Sequence, residues 1–302
     1  MSRRPEVRAG VSDVSLSGKT VLATGSTRGI GREMARALGR LGARVLVHGR
    51  DRERGNATLS DLERTAGSAE LFLADFASQS NVRQLARDVA GSVDSLDVLV
   101  NNAGGLFRTD STTAEDIEYT IGVNHLAPLL LTHHLLPEMP DCGRVVTTSS
   151  GAHRTGSIDV DSLGDRTDSS WQQYCRSKLA NVLFTRELAR RTDRVVATCF
   201  HPGFVPGSGF LRQVPAPIRL PMQVASKVPG VGRSVESGAA TGVSLAAEPD
   251  LGDVSGEYFV DGSPRRPSRE ARDDQTARRL WERSEELTAL DESLRLSREP
   301  PG

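Results

Sequence analysis

The chain has 302 residues, of which 25% are charged, and its 38 basic and 39 acidic residues leave a formal net charge of −1. This length suits one large α/β domain or two small ones, and the balanced charge gives no reason to expect nucleic acid or an acidic membrane as a partner. No apolar run approaches the roughly 18 residues that a membrane span needs, so none is expected.

The chain begins with residues 1–17, which carry no periodic pattern and are predicted to be a loose lead-in. Residues 19–24 form a short apolar strand that runs into a glycine-rich turn, and a helical pattern follows. A strand, such a turn and a helix together make a phosphate-binding site, although a turn without a ligand is the alternative. The predicted dinucleotide contacts in this turn are Gly25, Ser26, Thr27, Arg28, Gly29, Ile30 and Gly31.

The second strand, residues 44–48, indicates which dinucleotide is bound. It ends in Gly49 and Arg50, where NAD-binding folds place an acid that accepts hydrogen bonds from the ribose. A guanidinium instead matches the geometry of a phosphate, and Arg28 in the glycine turn can reach the same group. We therefore expect NADP(H), while two ordinary surface arginines and an NAD site remain the alternatives.

The third strand, residues 70–74, is followed by Asp75 and Phe76. Asp75 is expected to hold the adenine amino group and Phe76 to pack beside the ring. The alternative is that Asp75 caps the helix predicted over residues 78–93.

The fourth strand, residues 97–100, precedes three residues that let a cofactor lie close to the strand end: Asn102, Ala103 and Gly104. A helix is predicted over residues 114–136 and contains Asn124. An asparagine inside a helix is mildly unfavourable, so Asn124 is either positioned for a water or a backbone carbonyl, or simply tolerated there.

The fifth strand, residues 144–148, leads to the residues expected to perform chemistry. Ser150 follows this strand, at the edge where open α/β sheets bind ligands. Tyr174 and Lys178 lie on a helix predicted over residues 171–190, and their spacing of four puts them on one face. The ammonium is expected to lower the pKa of the phenol toward neutrality. Tyr-x-x-x-Lys also occurs by chance on surface helices.

The sixth strand, residues 195–200, is followed by a short segment rich in proline and glycine, residues 201–207. Residues 203–233 are rich in proline and mildly apolar, which predicts a lid over a hydrophobic substrate or, as the alternative, a disordered insert. A helix over 234–247 and a strand over 256–260 follow. Residues 263–302 are predicted to be an amphipathic helix and a tail.

Strands and helices alternate throughout, which predicts an α/β fold: a doubly wound parallel sheet of the Rossmann type, forming a single domain over residues 18–262. The three cysteines lack the spacing of metal ligands or redox pairs, so no metal is expected and a cytoplasmic location is predicted.

Taken in order, these motifs resemble the short-chain dehydrogenase/reductase superfamily, and in detail its retinol dehydrogenase-like and WW-domain-oxidoreductase-like members. The resemblance implies that Tyr174 is the proton donor or acceptor, that Lys178 holds the nicotinamide ribose and stabilises the phenolate, that Ser150 binds the substrate oxygen and that Asn124 holds a water. It implies that Pro202, Gly203 and Val205 line the nicotinamide. Where the family often has a threonine that contacts the carboxamide, this chain has Pro206, Gly207 and Ser208, and Ser208 is the expected substitute.

The expected function is therefore an NADP(H)-dependent oxidoreductase that interconverts an alcohol and a carbonyl on a bulky hydrophobic small molecule. An NAD-linked alcohol dehydrogenase and a non-catalytic dinucleotide sensor or scaffold are the alternatives. The resemblance is compatible with a homo-oligomer but does not determine the oligomeric state.

Overall fold

The computed structural model describes residues 4–65, 68–108, 110–167, 169–208, 232–294 and 296. Within these residues, eight strands form one sheet in the order β3-β2-β1-β4-β5-β6-β7-β8. Neighbouring strands from β3 to β7 run parallel, and only the short β8 is antiparallel. The strands are β1 Thr20–Ala23, β2 Arg44–Gly49, β3 Ala69–Leu73, β4 Val98–Asn101, β5 Gly143–Thr148, β6 Val195–His201, β7 Glu257–Val260 and β8 Ser263–Pro264.

Helices connect these strands and cover both faces of the sheet. They are α1 Pro5–Arg8, α2 Gly29–Arg40, α3 Arg52–Glu63, α4 Gln79–Ala90, α5 (Tyr119–Ile121 and Ala127–Leu135, joined by a π-helical turn at Gly122–Leu126), α6 Ser170–Arg191, α7 Val235–Ala247 and α8 Asp274–Leu287. Short 3₁₀ turns lie at Gly151–Thr155 and Pro206–Ser208. No helix among the described residues is both long and apolar enough to cross a bilayer.

The central strands are buried on both faces, as expected for a parallel sheet. Alternating side chains divide the core into two layers, because neighbouring residues of a strand point to opposite faces. Leu22 and Leu99 pack into the cluster that includes α4 and α5, whereas Val21 and Val98 pack into the cluster that includes α2 and α7. β1 pairs with β2 on one side and β4 on the other, so the chain reverses its direction of winding there and leaves a crevice at the carboxyl edge.

The α/β doubly wound fold is confirmed, with β8 as a small antiparallel addition that the sequence did not predict. The lead-in, in contrast, is not loose in its described part. Glu6 accepts two hydrogen bonds from the guanidinium of Arg40, at 2.6 and 2.7 Å, and Val11 is fully buried. The predicted lid falls largely on residues 209–231, which lie outside the described residues.

Helix α5 begins at Tyr119 and not at residue 114. Asp116 has φ 57°, a left-handed conformation that a right-handed helix cannot contain. The carboxylate of Glu118 then caps the helix by accepting hydrogen bonds from the backbone N–H groups of Thr120 and Ile121, at 2.9 and 2.8 Å. The π-helical turn contains Asn124, the residue whose position inside a helix was unusual in sequence.

Candidate active site

A cavity of about 840 Å³ lies at the carboxyl edge of the sheet. Its lining comes from the glycine turn, from the ends of β2 to β6 and the segments that follow them, from the start of α5 and from the first three turns of α6. Every residue predicted to bind a cofactor, except Ser26 and Gly29, lines this cavity, as do Ser150, Tyr174 and Lys178. The structure therefore brings together motifs that are more than 150 residues apart in the chain.

The glycine turn is too tightly packed for other residues at two positions. Gly25 has φ 63°, and a Cβ atom there would lie 2.7 Å from the Cα atom of Ala103. Gly29 has φ 56°, and its Cβ atom would lie 2.6 Å from the carbonyl oxygen of Ser208. The backbone can thus form a cradle that a side chain would fill, at the start of α2.

Two polar residues assigned to cofactor binding instead hold this cradle in shape. Asn102 donates from Nδ2 to the carbonyl oxygen of Thr24 at 2.9 Å, while Thr24 Oγ1 accepts from the Asn102 backbone N–H at 2.9 Å. Ser26 is buried and donates from Oγ to the carbonyl oxygen of Ala23 at 2.6 Å. Their side chains fix the turn against the ends of β1 and β4.

His48, near the end of β2, contacts the glycine turn through a hydrogen bond to Gly25. This residue was not identified from the sequence. Its Nδ1 accepts a hydrogen bond from the Gly25 N–H at 3.3 Å, and its Nε2 lies 3.2 Å from the carbonyl oxygen of Ala74. Burial lowers the pKa of His48 to about 4, so the ring is neutral and donates from Nε2. Phe76, predicted to pack beside adenine, stacks on this ring with 4.5 Å between centroids.

Three arginines line the cavity where the glycine turn meets the end of β2: Arg28, Arg50 and Arg54. The side chain of Arg50 is 54% exposed and donates to the hydroxyl of Tyr119 at 3.3 Å. Arg54, on the first turn of α3, was missed because it follows the end of β2 by one helical turn and faces the cavity only once α3 has formed.

The two acids at this end do not occupy the position that recognises NAD. Asp51 caps α3 by accepting from the Arg54 backbone N–H at 3.1 Å. Asp75 accepts from the Ala77 N–H at 3.1 Å and lies 3.8 Å from Arg50. Since Ser78 is the first residue before α4, Asp75 does not cap that helix. A dinucleotide carrying an extra phosphate fits the glycine cradle and this cationic rim.

The two serines after β5 have different roles. Ser149 is buried and donates from Oγ to the carbonyl oxygen of Lys178 at 2.9 Å. Ser150 faces the cavity, where its hydroxyl is hydrogen-bonded to that of Tyr174. His153 holds this segment, because its Nδ1 lies 2.7 Å from the carbonyl oxygen of Ser150 and its Nε2 accepts from the Ser268 N–H at 3.2 Å.

Tyr174 and Lys178 lie side by side, with the Lys178 Nζ atom 5.7 Å from the centre of the phenol ring. Both are buried, with 7% and 5% of their surface exposed. Burial raises the pKa of Tyr174 to about 12, against a smaller lowering by the hydrogen bond to Ser150, and burial lowers the pKa of Lys178 to about 8. The predicted lowering of the Tyr174 pKa toward neutrality is therefore wrong, because burial is the largest influence on this phenol and raises its pKa.

Asn124 connects the segment after β4 to α6, the helix that carries Tyr174 and Lys178. Its Oδ1 accepts from the Gly105 N–H at 2.9 Å, and its Nδ2 donates to the Gly105 carbonyl and to Ser177 Oγ, both at 2.9 Å. Both hydrogens of the side-chain amide are thus engaged, while Oδ1 accepts one of the two hydrogen bonds that an amide oxygen can accept.

The segment after β6 closes the cavity beside the glycine turn. Pro202, Gly203 and Val205 line it, and Gly203 has φ 82°. Ser208 donates from Oγ to the carbonyl oxygen of Val205 at 2.7 Å, which closes its own 3₁₀ turn. The hydroxyl expected to replace the family's threonine therefore stabilises the backbone here.

Comparisons with known proteins agree with this architecture. The family model described as short chain dehydrogenase matches residues 19–216. The chain is 41% identical over 286 residues to "Dehydrogenase/reductase SDR family member 13" of Bos taurus, covering 91% of this chain and 74% of that protein. It is 36% identical over 295 residues to human "Retinol dehydrogenase 11", covering 92% and 88%.

A bacterial relative and two crystal structures extend the similarity. "Putative daunorubicin C-13 ketoreductase DnrU" of Streptomyces sp. strain C5 is 40% identical over 289 residues, covering 93% of this chain and 96% of that protein. A Mycobacterium paratuberculosis structure superimposes with a TM-score of 0.74 at 32% identity, covering 92% and 96%. The angucycline C-6 ketoreductase LanV, solved with bound NADP, superimposes with a TM-score of 0.67 at 27% identity, covering 82% and 95%.

Proposed function

This chain belongs to the short-chain dehydrogenase/reductase family, in its retinol dehydrogenase-like subgroup, and from that premise we propose that it reduces the carbonyl of a bulky hydrophobic substrate at the expense of NADPH. Oxidoreduction between alcohols and carbonyls is the chemistry of its relatives, two of which are named as ketoreductases. The observation that carries the proposal is the hydrogen bond between the Tyr174 and Ser150 hydroxyls inside the cavity formed by the glycine turn.

The protonation states support the direction of reduction. A pKa of about 12 keeps the Tyr174 phenol protonated at neutral pH, as a proton donor requires. Lys178, with a pKa of about 8, is still mostly charged there, and its ammonium stabilises the phenolate that remains after the proton has left. The Ser150 hydroxyl can donate a hydrogen bond to the oxygen on which charge develops.

The reaction is a two-electron reduction. When bound, NADPH supplies the hydride. The C=O double bond becomes a single bond, the carbon gains a C–H bond, and the oxygen receives the proton of Tyr174. The proton that Tyr174 has lost is then restored from solvent.

The cationic rim supports NADP(H) rather than NAD as the cofactor. Three arginines line this end of the cavity, and the strand end lacks the acid that binds a free ribose hydroxyl pair. The LanV ketoreductase was solved with NADP. The alternatives are an NAD-linked alcohol dehydrogenase and a non-catalytic dinucleotide sensor, and the latter would need neither the Ser150–Tyr174 pair nor the buried lysine.

The test compares two of the three tyrosines of the chain, Tyr174 and Tyr258. NADPH consumption is measured over a panel of hydrophobic ketones and aldehydes, and NADPH affinity is measured by its fluorescence. Tyr174→Phe is expected to lower kcat by roughly 10²- to 10⁴-fold while NADPH affinity changes little. Tyr258→Phe removes a phenol buried outside the cavity and is the matched control. Substantial turnover by Tyr174→Phe would refute the role of this residue.

A further inference from the structure

The cavity has a second aromatic surface beside Tyr174, formed by Trp171. Half of the Trp171 surface is exposed, although the side chain lines the cavity. Its indole stacks on the phenol of Tyr174 with 5.8 Å between centroids and 29° between planes, a geometry of offset stacking. Such an exposed tryptophan is unusual here: among the described residues, the other exposed large hydrophobic side chains are Val7 and Leu73.

The start of α6 places Trp171 beside Tyr174. It is the second residue of α6, three residues before Tyr174, so the two rings lie on one helix face. Ser169 caps the helix by accepting from the Gln172 N–H at 3.2 Å, which holds this first turn in place. A tryptophan has only two rotatable side-chain bonds, so it provides a large contact area at low entropic cost.

The surrounding wall is apolar or neutral. Leu106, Phe107, Ala152 and Phe204 contribute to it. Burial lowers the pKa of His201 to about 4, so this ring is neutral. The arginines and aspartates that line the cavity all lie near the ends of β2 and β3 and in the glycine turn. Among the described residues that line the cavity, Lys178 is therefore the charged group at this end.

We propose that Trp171 is a stacking surface for planar, fused-ring aromatic ketones, and that these are the substrate class of the site. This inference rests on the proposed carbonyl reduction. A carbonyl conjugated to an aromatic ring lies in the ring plane, so stacking on Trp171 aims its oxygen along the surface toward the hydroxyls of Tyr174 and Ser150. A saturated ring is puckered, contacts the indole less well and leaves that orientation unfixed.

An exposed tryptophan also suits a protein interface. Two observations favour a small molecule instead: Trp171 stacks on Tyr174, and its side chain lines the cavity. A partner protein would have to enter the cavity to contact the part of the indole that lines it.

The kinetic test uses two ketones with the same ten-carbon bicyclic skeleton: 1-tetralone, which has an aromatic ring, and 1-decalone, which is saturated. Their intrinsic reactivities differ, so the informative quantity is the change in the ratio of their kcat/KM values between variants. Trp171→Leu keeps an apolar side chain but removes the π face. It is expected to lower kcat/KM for 1-tetralone by about 3- to 10-fold, through a higher KM, and that for 1-decalone by less than about 2-fold. Trp171→Phe is expected to retain most of the activity. An equal effect of Trp171→Leu on both ketones, or none, overturns the proposal.

A second test needs no turnover, since the chain has only two tryptophans. Trp281 is 1% exposed and lies in the core, whereas Trp171 lines the cavity. With NADP⁺ bound, a ketone cannot be reduced, so 1-tetralone can be titrated against tryptophan fluorescence. Saturable quenching is expected in the wild-type protein and not in Trp171→Phe, where only Trp281 remains. The same quenching in both proteins overturns the proposal.

The two tests separate this inference from the proposed function. If the wild-type protein reduces neither ketone nor any other carbonyl of the panel, the proposed function fails, while the titration still shows whether Trp171 binds a planar aromatic ketone. If both ketones are reduced but the ratio does not respond to Trp171→Leu, the proposed function stands and the stacking surface is refuted.

Discussion

The two ends of the cavity use charge in opposite ways. At the cofactor rim, the side chains of Arg50 and Arg54 are about half-exposed, and each lies beside an acid: Asp75 at 3.8 Å from Arg50 and Asp51 at 3.2 Å from Arg54. At the end that holds Tyr174 and Lys178, both side chains are buried. Burial raises the pKa of Tyr174 and lowers the pKa of Lys178, and each shift favours the neutral form of the group. Substitutions at the rim are therefore expected to change the affinity for the cofactor, whereas substitutions at the buried end are expected to change the rate of reduction.

The largest effect after the loss of the Tyr174 hydroxyl is expected at Ser150. Ser150→Ala removes a hydrogen-bond donor to the developing oxyanion and is expected to lower kcat by roughly 10²- to 10³-fold, measured under saturating NADPH. Its neighbour provides the contrast: Ser149→Ala loses a buried hydrogen bond to Lys178 and is expected to cost about 1 kcal/mol of unfolding free energy, measured in urea. If Ser149→Ala lowers kcat more than Ser150→Ala does, the assignment of the catalytic hydrogen bond to Ser150 and of the structural one to Ser149 is wrong.

The pH dependence should sharpen the same contrast. The pKa of Lys178 is lowered to about 8, so the ammonium loses its proton as the pH rises through that value, whereas Tyr174, with a pKa raised to about 12, stays protonated. The kcat/KM for reduction is therefore expected to be level near neutrality and to fall above about pH 8, by up to about tenfold per pH unit.

Lys178→Arg is the control for this profile. Guanidinium does not lose its proton in this range, so the variant should lack the descending limb, whatever its absolute rate. An unchanged limb near pH 8 in this variant would assign the ionisation to another group.

At the rim, the smallest of these effects is expected, and it concerns binding. Arg50→Ala should weaken NADPH by roughly 10-fold and leave NADH almost unchanged, because a charge-assisted hydrogen bond to a half-exposed arginine is lost. Arg54→Ala should also weaken the binding of NADPH, by a smaller factor than Arg50→Ala. Arg52→Ala, an exposed arginine on α3 that does not line the cavity, is the matched control. Equal losses for NADPH and NADH in Arg50→Ala would remove the basis for NADP.

Much of the cofactor end was predictable because its information is local. The apolar strands, the helix that follows the glycine turn and the missing acid at Arg50 are all patterns within about ten residues. His48 and Arg54 were missed for a different reason. Neither residue belongs to a motif, and the role of each depends on other elements of the fold. His48 accepts a hydrogen bond from Gly25, and Arg54 lines a cavity that several segments form together.

For some of the predicted site residues, only the fold shows which groups their side chains contact. Asn124 stood out in sequence as an asparagine inside a helix, but only the fold shows that its amide joins Gly105 to Ser177. Asn102 was expected to lie close to the cofactor, but only the fold shows that its side chain also bonds to the carbonyl oxygen of Thr24. The first helical turn of α5 could not be placed either, since the carboxylate of Glu118 and the conformation of Asp116 decide where it begins.

The amino-acid sequence by itself determined the α/β architecture, the glycine turn and the chain order of Asn124, Ser150, Tyr174 and Lys178, because hydrophobic periodicity and turn chemistry act between near neighbours in the chain. Only the tertiary structure decided how acidic the phenol is and which aromatic surface stands beside it. Burial sets the first and the capped start of α6 sets the second, and both depend on segments that meet only when the sheet is assembled.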